Sequence, residues 1–541
     1  MSEQSANRER TSTEPRRRNF RQLGRAVLRS ALRITLALVL VLVVAIGAFA
    51  VWEAEHSRVQ AAEASRYAAT LRHELGKGPS ENIRFPTHGP FDERLGYTRI
   101  PYFTQRLQAR GFEVAEQARH NSALLAHQDR GLFAPYAEKT QAGLTVLDCR
   151  REPIYAFRYP YRHFESFDSV PPVLVQALLF IENRDLLDEK RPHMNPAVDW
   201  VRFTRAVLGQ LGSKLHPEMD TPGGSTLATQ IEKYRHSPDG ITQDAREKLR
   251  QMVSASVRAY RQGEETLLVR RQLVLDYLNT VPLSAAPRHG EVNGLGDGLW
   301  VWFGTDPERA RRLLAPLDGL PDGQGEIDLA ERAQVLRQAV SLMIAHRRPS
   351  WYLAQGRDDL NQSTDAHLRL LAAEGIIDTA TRDEALRQPL VFRDMARNPP
   401  LLPAQSGKGT TAVRTRLAGL LDTSLYGLDR LDAEMSATLH GQLQSAVTDF
   451  LGKLSDPAFA REKGLFGERL LQPGNFGEVR YSFTLWETTP QGNQVRVQTD
   501  TTAQPLDINE GSKLELGSTA KLRVLATYLE LVAELHERLA P

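Results

Sequence analysis

Between Ile34 and Trp52 the chain reads ITLALVLVLVVAIGAFAVW, without one charged side chain. At about 1.5 Å per residue a helix of this length reaches roughly 28 Å, the thickness of a bilayer core. A cleaved leader has a shorter apolar centre followed by small residues, whereas Trp52-Glu53 follows here, so a retained membrane span is expected over 34–52. Residues 1–33 form a basic tail with nine Arg against three Glu, although the whole chain carries only +2. Such a flank stays on the cytoplasmic side, which sends everything after residue 53 outward. The single cysteine, Cys149, allows no internal disulfide, so the exported part must fold on its cores alone.

A chain of 541 residues exceeds one core, so several units are expected, of α+β class overall. Residues 53–165 read as a small juxtamembrane α+β module. Within it 57–75 has helical spacing, FEVAEQA (112–118) alternates as a strand, and AGLTVLDCRREPIYAFRYPY (142–161) gives two strands around Arg151-Glu152-Pro153. From 166 to 395 apolar residues recur at helical spacing, so this unit is mainly α. The Pro-, Gly- and Ser-rich stretch 396–412 reads as a linker. In 413–541 LDAEMSATLHGQLQSAVTDFLGKL suggests a helix, and VRYSFTLWETT and NQVRVQTDT suggest strands, which together begin an α/β-like unit.

The stretch GGSTLATQIEKY (223–234) opens with Gly223 and Gly224, which permit a sharp turn, and continues with Ser225 or Thr226 as a helix cap. In a helix Thr226, Gln230 and Lys233 share one polar face beside the apolar face of Leu227, Ile231 and Tyr234. Exposed backbone N–H groups at such a start can hold phosphate, although an ordinary cap looks the same. Upstream, Leu174, Leu178 and Ile181 form a stripe that Glu182 borders. A carboxylate beside apolar side chains holds its proton more tightly and suits acid or base work; pairing with Arg184 is the structural alternative. GEVNGLGDG (290–298) lacks the strand-to-helix setting of a nucleotide loop and reads as a flexible loop. His193 and His289 lack metal-ligand spacing, and Trp300 and Trp302 read as packing residues.

Taken in order, these segments resemble the lysozyme-like glycosyltransferase domain of class A penicillin-binding proteins, which polymerises lipid II into peptidoglycan glycan strands. IENRDLLDEKRPHMNPAVDWVRFTRA is similar to the family's first motif, with Glu182 in the catalytic place, Asp199 and Arg205-Ala206. GGSTLATQIEKY resembles the second, AREKLRQ loosely the third, QLVLDYLN the fourth and GLWVWFG the fifth. The resemblance implies that Glu182 takes a proton from the acceptor sugar's 4-hydroxyl. Lys233 and Arg246, with Lys248 nearby, would neutralise the departing pyrophosphate beside Gly223 to Thr226, with Gln230 in the same binding set. It further implies a bacterial inner-membrane protein with its bulk in the periplasm, and lipid II and the growing glycan as partners. Other cell-wall assembly proteins are possible partners, nucleic acid is not, and Mg or Mn is a possible aid to pyrophosphate departure.

The chain departs from that pattern at Asn183, Thr229 and Asn195, and at Gln251, which takes the place of a second, catalytic acid. These departures leave open a degenerate relative that binds lipid-linked glycan as a scaffold. A lysozyme-like hydrolase would need a second carboxylate, for which only Asp185 and Asp199 offer themselves. In LELGSTAKLRVLATYLELV, Ser518 and Lys521 stand at i and i+3, close enough for an amine to take a hydroxyl proton, and resemble the start of the penicillin-binding transpeptidase motif set. The two further motifs of that set do not follow, so 413–541 is expected to be an incomplete transpeptidase-like domain.

Overall fold

The computed structural model describes residues 16–200, 225–316, 328–401, 407–474, 476–502, 508–513, 515 and 517–540. It is mostly helical, with four small sheets among these residues. The apolar run lies inside one helix, α1 (Arg16–His56), whose segment Ala31–His56 holds an 18-residue window of mean hydropathy 3.0 with no buried part. That segment is long and apolar enough to cross a membrane. A left-handed Ser57 breaks the helix, and α2 (Arg58–Thr70) follows. Its Gln60 side chain accepts from Trp200 Nε1 at 3.3 Å, and Arg191 Nε donates to the Glu55 carbonyl at 3.0 Å, which ties the end of the apolar helix to the helical unit.

Helix α2 ends sooner than its spacing suggested. Residues β1 (His73–Lys77) pair antiparallel with β2 (Glu116–His120), because the backbone polar groups after Thr70 find partners across a ladder instead of along a helix. Between them lie α3 (Pro90–Arg94) and α4 (Ile100–Gln108), each with proline in its first turn, where no N–H is missed. The two strands expected around Arg151 are present as β3 (Leu144–Leu147) and β4 (Pro153–Ala156), with Arg151 in the left-handed region at the turn.

The main core belongs to the helical unit. Helix α5 (Pro172–Glu182) opens with proline and buries Leu174, Val175 and Leu178. Helix α6 (Leu227–His236) opens on a reciprocal capping box: Thr226 Oγ1 accepts from Thr229 N, and Thr229 Oγ1 accepts from Thr226 N at 2.9 Å. Asp244 caps α7 (Ala245–Ala259) by accepting from Glu247 N at 2.7 Å. After α8 (Leu267–Thr280) comes the hairpin β5 (Pro282–Ala286) and β6 (Gly290–Asn293). The nearly all-buried α9 (Leu329–Ala345) packs against α5, α10 (Arg357–Ala373) and α11 (Thr379–Arg387). Burying one leucine in such a core stabilises by roughly 1.5–3 kcal/mol, and here it also fixes the end of α5 where Glu182 stands.

The stretch 290–298 is not a flexible loop. It supplies β6 and the wholly buried turn of helix Gly294–Gly298, followed by a π-helical turn, Leu299–Phe303. A Cβ on Gly294 would meet the Asn279 carbonyl oxygen at 2.3 Å, and one on Gly296 the Arg162 carbonyl at 2.4 Å. The glycines permit close backbone approach, and the segment they open is tightly packed.

The remaining chain returns to the juxtamembrane module. Lys408, inside the expected linker, begins α12 (Lys408–Leu421), followed by α13 (Leu425–Arg430). Residues Ala433–Ser436, expected to be helical, form β7, which pairs parallel with β3 to give the order β4-β3-β7. A second core of Leu144, Val146, Tyr155, Leu421 and Leu428 fills the space behind this sheet. The helix itself starts later, as α14 (Gly441–Lys453). The two strands read beyond it pair antiparallel as β8 (Ser482–Thr489) and β9 (Gly492–Asp500). Last comes α15 (Ala520–Leu539), which buries no residue.

Candidate functional site

Glu182 ends α5 with 8% of its surface exposed. It is not paired with Arg184, which turns to Glu374 at 3.3 Å. Instead Gln230 of α6 donates Nε2 to Glu182 Oε2 at 2.7 Å. The orientation of that amide is fixed from behind, because the Tyr277 hydroxyl donates to Gln230 Oε1 at 3.3 Å and leaves the NH₂ end for the carboxylate. Burial, and after it Glu182, holds the Tyr277 phenol well above its ordinary pKa, so it remains a donor. A Tyr277–Gln230–Glu182 chain therefore links three helices.

On the other carboxylate oxygen, Arg347 Nη2 stands 3.6 Å and His346 Nε2 3.7 Å from Glu182 Oε1. His346 Nδ1 lies 2.6 Å from the Met343 carbonyl, which makes Nδ1 the donor and leaves a lone pair on Nε2. Burial pulls this imidazole below its ordinary value despite Glu182, so it is neutral at pH 7.

Lys233 lies one turn beyond Gln230. Burial lowers its pKa, and Glu182 works against that, which marks the two as electrostatic neighbours. Lys248 of α7 donates Nζ to Ser225 Oγ at 2.7 Å and reaches Thr229 Oγ1 at 3.5 Å. Burial, then the like charge of Lys233, pushes Lys248 down to about 8. Two ammonium groups thus share one partly dry region beside α6. Partly desolvated cations held close together suit a polyanion.

The residues singled out in the sequence divide accordingly. Glu182, Gln230, Lys233, Lys248, Ser225 and Thr226 come together, Thr226 as the helix cap. Gly223 and Gly224 lie outside the described residues. Arg246 is exposed and makes no side-chain hydrogen bond or ion pair among the described residues. Gln251, fully buried, donates Nε2 to Ser237 Oγ at 2.9 Å and to Thr242 Oγ1 at 3.0 Å, which ties the loop after α6 to α7. Asn195 donates to Ser256 Oγ at 3.1 Å, and His193 and His289 each meet a backbone carbonyl. Trp302 is packed with its Nε1 on the Leu283 carbonyl, while Arg162 and Arg393 cover the Trp300 ring. Ser518 and Lys521 are both exposed, 3.5 Å apart, at the start of α15. No group of three or more His, Cys, Asp or Glu among the described residues could hold a metal ion. Among the described residues, an amide, an imidazole, a guanidinium and an ammonium stand near Glu182.

Sequence reading missed His346 and Arg347. Their only local signal is a basic AHRRP ending to α9, which any helix terminus can carry. It also missed what holds α6 from its C-terminal end. Glu138, in the chain before β3, meets Arg258 Nη1 at 2.8 Å, Arg235 Nη1 at 2.8 Å and His236 Nε2 at 2.7 Å. Asp92 of α3 meets His236 Nδ1 at 2.7 Å, and Glu232 meets Arg258 Nε at 2.6 Å. Burial alone would raise the Glu138 carboxyl, but Arg258, His236 and Arg235 outweigh it and hold the group well below its ordinary value. Burial likewise works to lower His236, yet Glu138 and Asp92 carry it up to about 10. The juxtamembrane module and the helix that presents Gln230 and Lys233 are thereby locked together by buried charge.

Residues 150–368 match the family model described as Transglycosylase, and this part of the chain is a transglycosylase domain. The matched range contains every residue of the Glu182 cluster. It ends well before Ser518 and Lys521, and nothing in the comparisons supports a transpeptidase domain there. No curated protein matches the chain.

Proposed function

We propose that this chain is a membrane-anchored peptidoglycan glycosyltransferase that extends glycan strands from lipid II, with Glu182 as its base. The observation that carries the reading is a nearly buried carboxylate, hydrogen-bonded by Gln230, beside a region where Lys233 and Lys248 present positive charge. The transglycosylase match over residues 150–368 supports lipid II as the substrate class.

The acceptor sugar's 4-hydroxyl gives its proton to Glu182 as its oxygen forms the new bond to the anomeric carbon of the donor chain. The bond from that carbon to the pyrophosphate oxygen breaks, and the leaving group departs with the electron pair. Lys233 and Lys248 stabilise the charge that develops there, and Ser225 holds Lys248 toward it. Gln230 and Tyr277 keep the carboxylate oriented, and Arg347 stands 3.6 Å from its other oxygen. The apolar helix 31–56 would hold the site at the bilayer surface, where a lipid-linked substrate is confined to two dimensions.

The deciding experiment is polymerisation of purified lipid II by the full chain in detergent. Product from the native chain, and none from a folded Glu182→Gln variant, is expected. A second reading, lipid-linked glycan binding without turnover, is favoured by the absence of another carboxylate from the cluster among the described residues. Binding of lipid II with no polymer under any condition would replace the first reading by the second.

A further inference from the structure

A cavity of about 280 Å³ opens between α3, α6, the β5–β6 hairpin and the Pro349–Tyr352 turn. It contains none of Glu182, Gln230, Lys233 or Lys248, and nothing in the glycosyl-transfer reading uses it. Arg94, at the end of α3, lines it. The guanidinium stacks on the rings of Tyr159, at 5.2 Å, and Phe91, at 5.8 Å, and forms no hydrogen bond or ion pair among the described residues. Its Nε is wholly shielded and has no partner. Burial lowers its pKa against the opposing pull of Tyr159 and Glu291, and the like charges of Arg235 and Arg430 add to the lowering. A shielded guanidinium N–H without an acceptor is costly in a folded protein unless a ligand supplies one, and the half-buried Arg94 side chain leaves its other donors open to the cavity.

The rim has the opposite character. Asp239 and Glu291 line the same cavity and are exposed, as is Ser350. Asp239 is held in the left-handed region at φ 54°. The floor therefore calls for an anion and the rim for a cation. The volume is below that of ordinary drug-sized pockets, roughly 300–1,000 Å³, which limits the occupant to something the size of an amino acid or dipeptide.

We propose that this cavity binds a small zwitterion, a free amino acid or a dipeptide, its carboxylate on Arg94 and its ammonium between Asp239 and Glu291. The carboxylate matches the fork of the guanidinium, and one buried bidentate contact of this kind is stronger than a neutral hydrogen bond. Thr280 and the Tyr234 hydroxyl, 2.8 Å apart on the cavity wall, separate the ligand from Tyr277 and the glycosyl-transfer cluster.

Calorimetric titration of the full chain in detergent with alanyl-alanine tests this. A saturable single site with Kd in the millimolar range or tighter is expected. Alanyl-alanine amide, which lacks the carboxylate, and N-acetyl-alanyl-alanine, which lacks the ammonium, should each bind about tenfold or more weakly. Arg94→Gln should weaken the dipeptide by a similar factor. Ser350→Leu narrows the mouth without touching the guanidinium and should abolish binding with the melting curve unchanged, which keeps the test decisive if Arg94→Gln fails to fold. Absence of dipeptide binding would overturn the proposal, as would equal binding of the amide or full affinity in Ser350→Leu. Inorganic phosphate binding as tightly as the dipeptide would overturn it in favour of a plain anion hole.

Discussion

Glu138→Gln removes one negative charge from a site where Arg235, Arg258 and His236 all lie within 2.8 Å of it. Breaking a buried ion pair by deleting one partner costs roughly 3–5 kcal/mol, because the cations stay behind without compensation. The raised pKa of His236 gives a second route to the size. A rise from 6.5 to about 10 corresponds, at 1.36 kcal/mol per unit, to about 5 kcal/mol, shared with Glu138 and Asp92 and not additional to the first figure. Both routes put the local loss at a few kcal/mol, or roughly two to nearly four powers of ten in the opening equilibrium of α6.

Hydrogen exchange read by mass spectrometry reports that equilibrium segment by segment. Protection of Leu227–His236 and of Pro90–Arg94 should collapse by that factor in Glu138→Gln, while Ser482–Asp500 stays as in the native chain. The pH dependence carries a sign. Because His236 is raised in the folded state, its contribution is fully present below pH about 6.5, declines above it and is gone once pH passes about 10. Glu138, held low, contributes above its ordinary value and loses that contribution under acid. Native protection should therefore decline from neutral toward pH 10, and the variant should show a flatter decline. A fall of less than about tenfold in the α6 segment, or an equal fall in Ser482–Asp500, would refute the claim that buried charge locks α6 to the module.

Gln230→Ala removes a hydrogen bond to a charged acceptor, worth about 1.5–3 kcal/mol, so kcat in lipid II polymerisation should drop roughly 10- to 150-fold with KM nearly unchanged. Tyr277→Phe, which frees the amide to turn, should give a smaller loss in the same parameter. The low pKa of Lys248 means that its charge disappears above pH about 8, so the native rate profile should have an alkaline limb there. Lys248→Arg, always charged, should push that limb upward, and an unchanged limb would remove Lys248 from the leaving-group side. Leu178→Ala, one turn before Glu182 and fully buried, should cost about 2–5 kcal/mol in stability and lower the rate by displacing the carboxylate, measured by thermal unfolding beside the polymerisation assay.

The site was legible where chemistry and local structure coincide in one stretch. The order Thr226-x-x-Thr229 announces a helix start, Gln230 and Lys233 follow at fixed helical offsets, and Glu182 closes an apolar stripe. What escaped depends on contacts between distant segments. His346 and Arg347 become neighbours of Glu182 only because α9 runs through the core beside α5. Glu138 sits in an irregular stretch whose pattern announces nothing, and its role exists only through three cations from α6 and α7. Gly294 and Gly296 misled in the other direction. Glycine is read as freedom, whereas here it marks backbone meeting backbone too closely for a side chain. Nothing local announced the two hydroxyls, of Ser237 and Thr242, to which the buried Gln251 amide donates.

The parallel pairing of Leu144–Leu147 with Ala433–Ser436 sets an order of assembly. The earlier strand leaves the ribosome about 290 residues before its neighbour, which at roughly 5–20 residues per second is a delay on the order of 15–60 s. Through that interval one edge of the sheet has no partner, and a half-made chain offers it to any other extended segment nearby. Completion of the module is thus a late event that waits on synthesis beyond the transferase region, and a nascent chain stalled before Ala433 is the form most prone to clump.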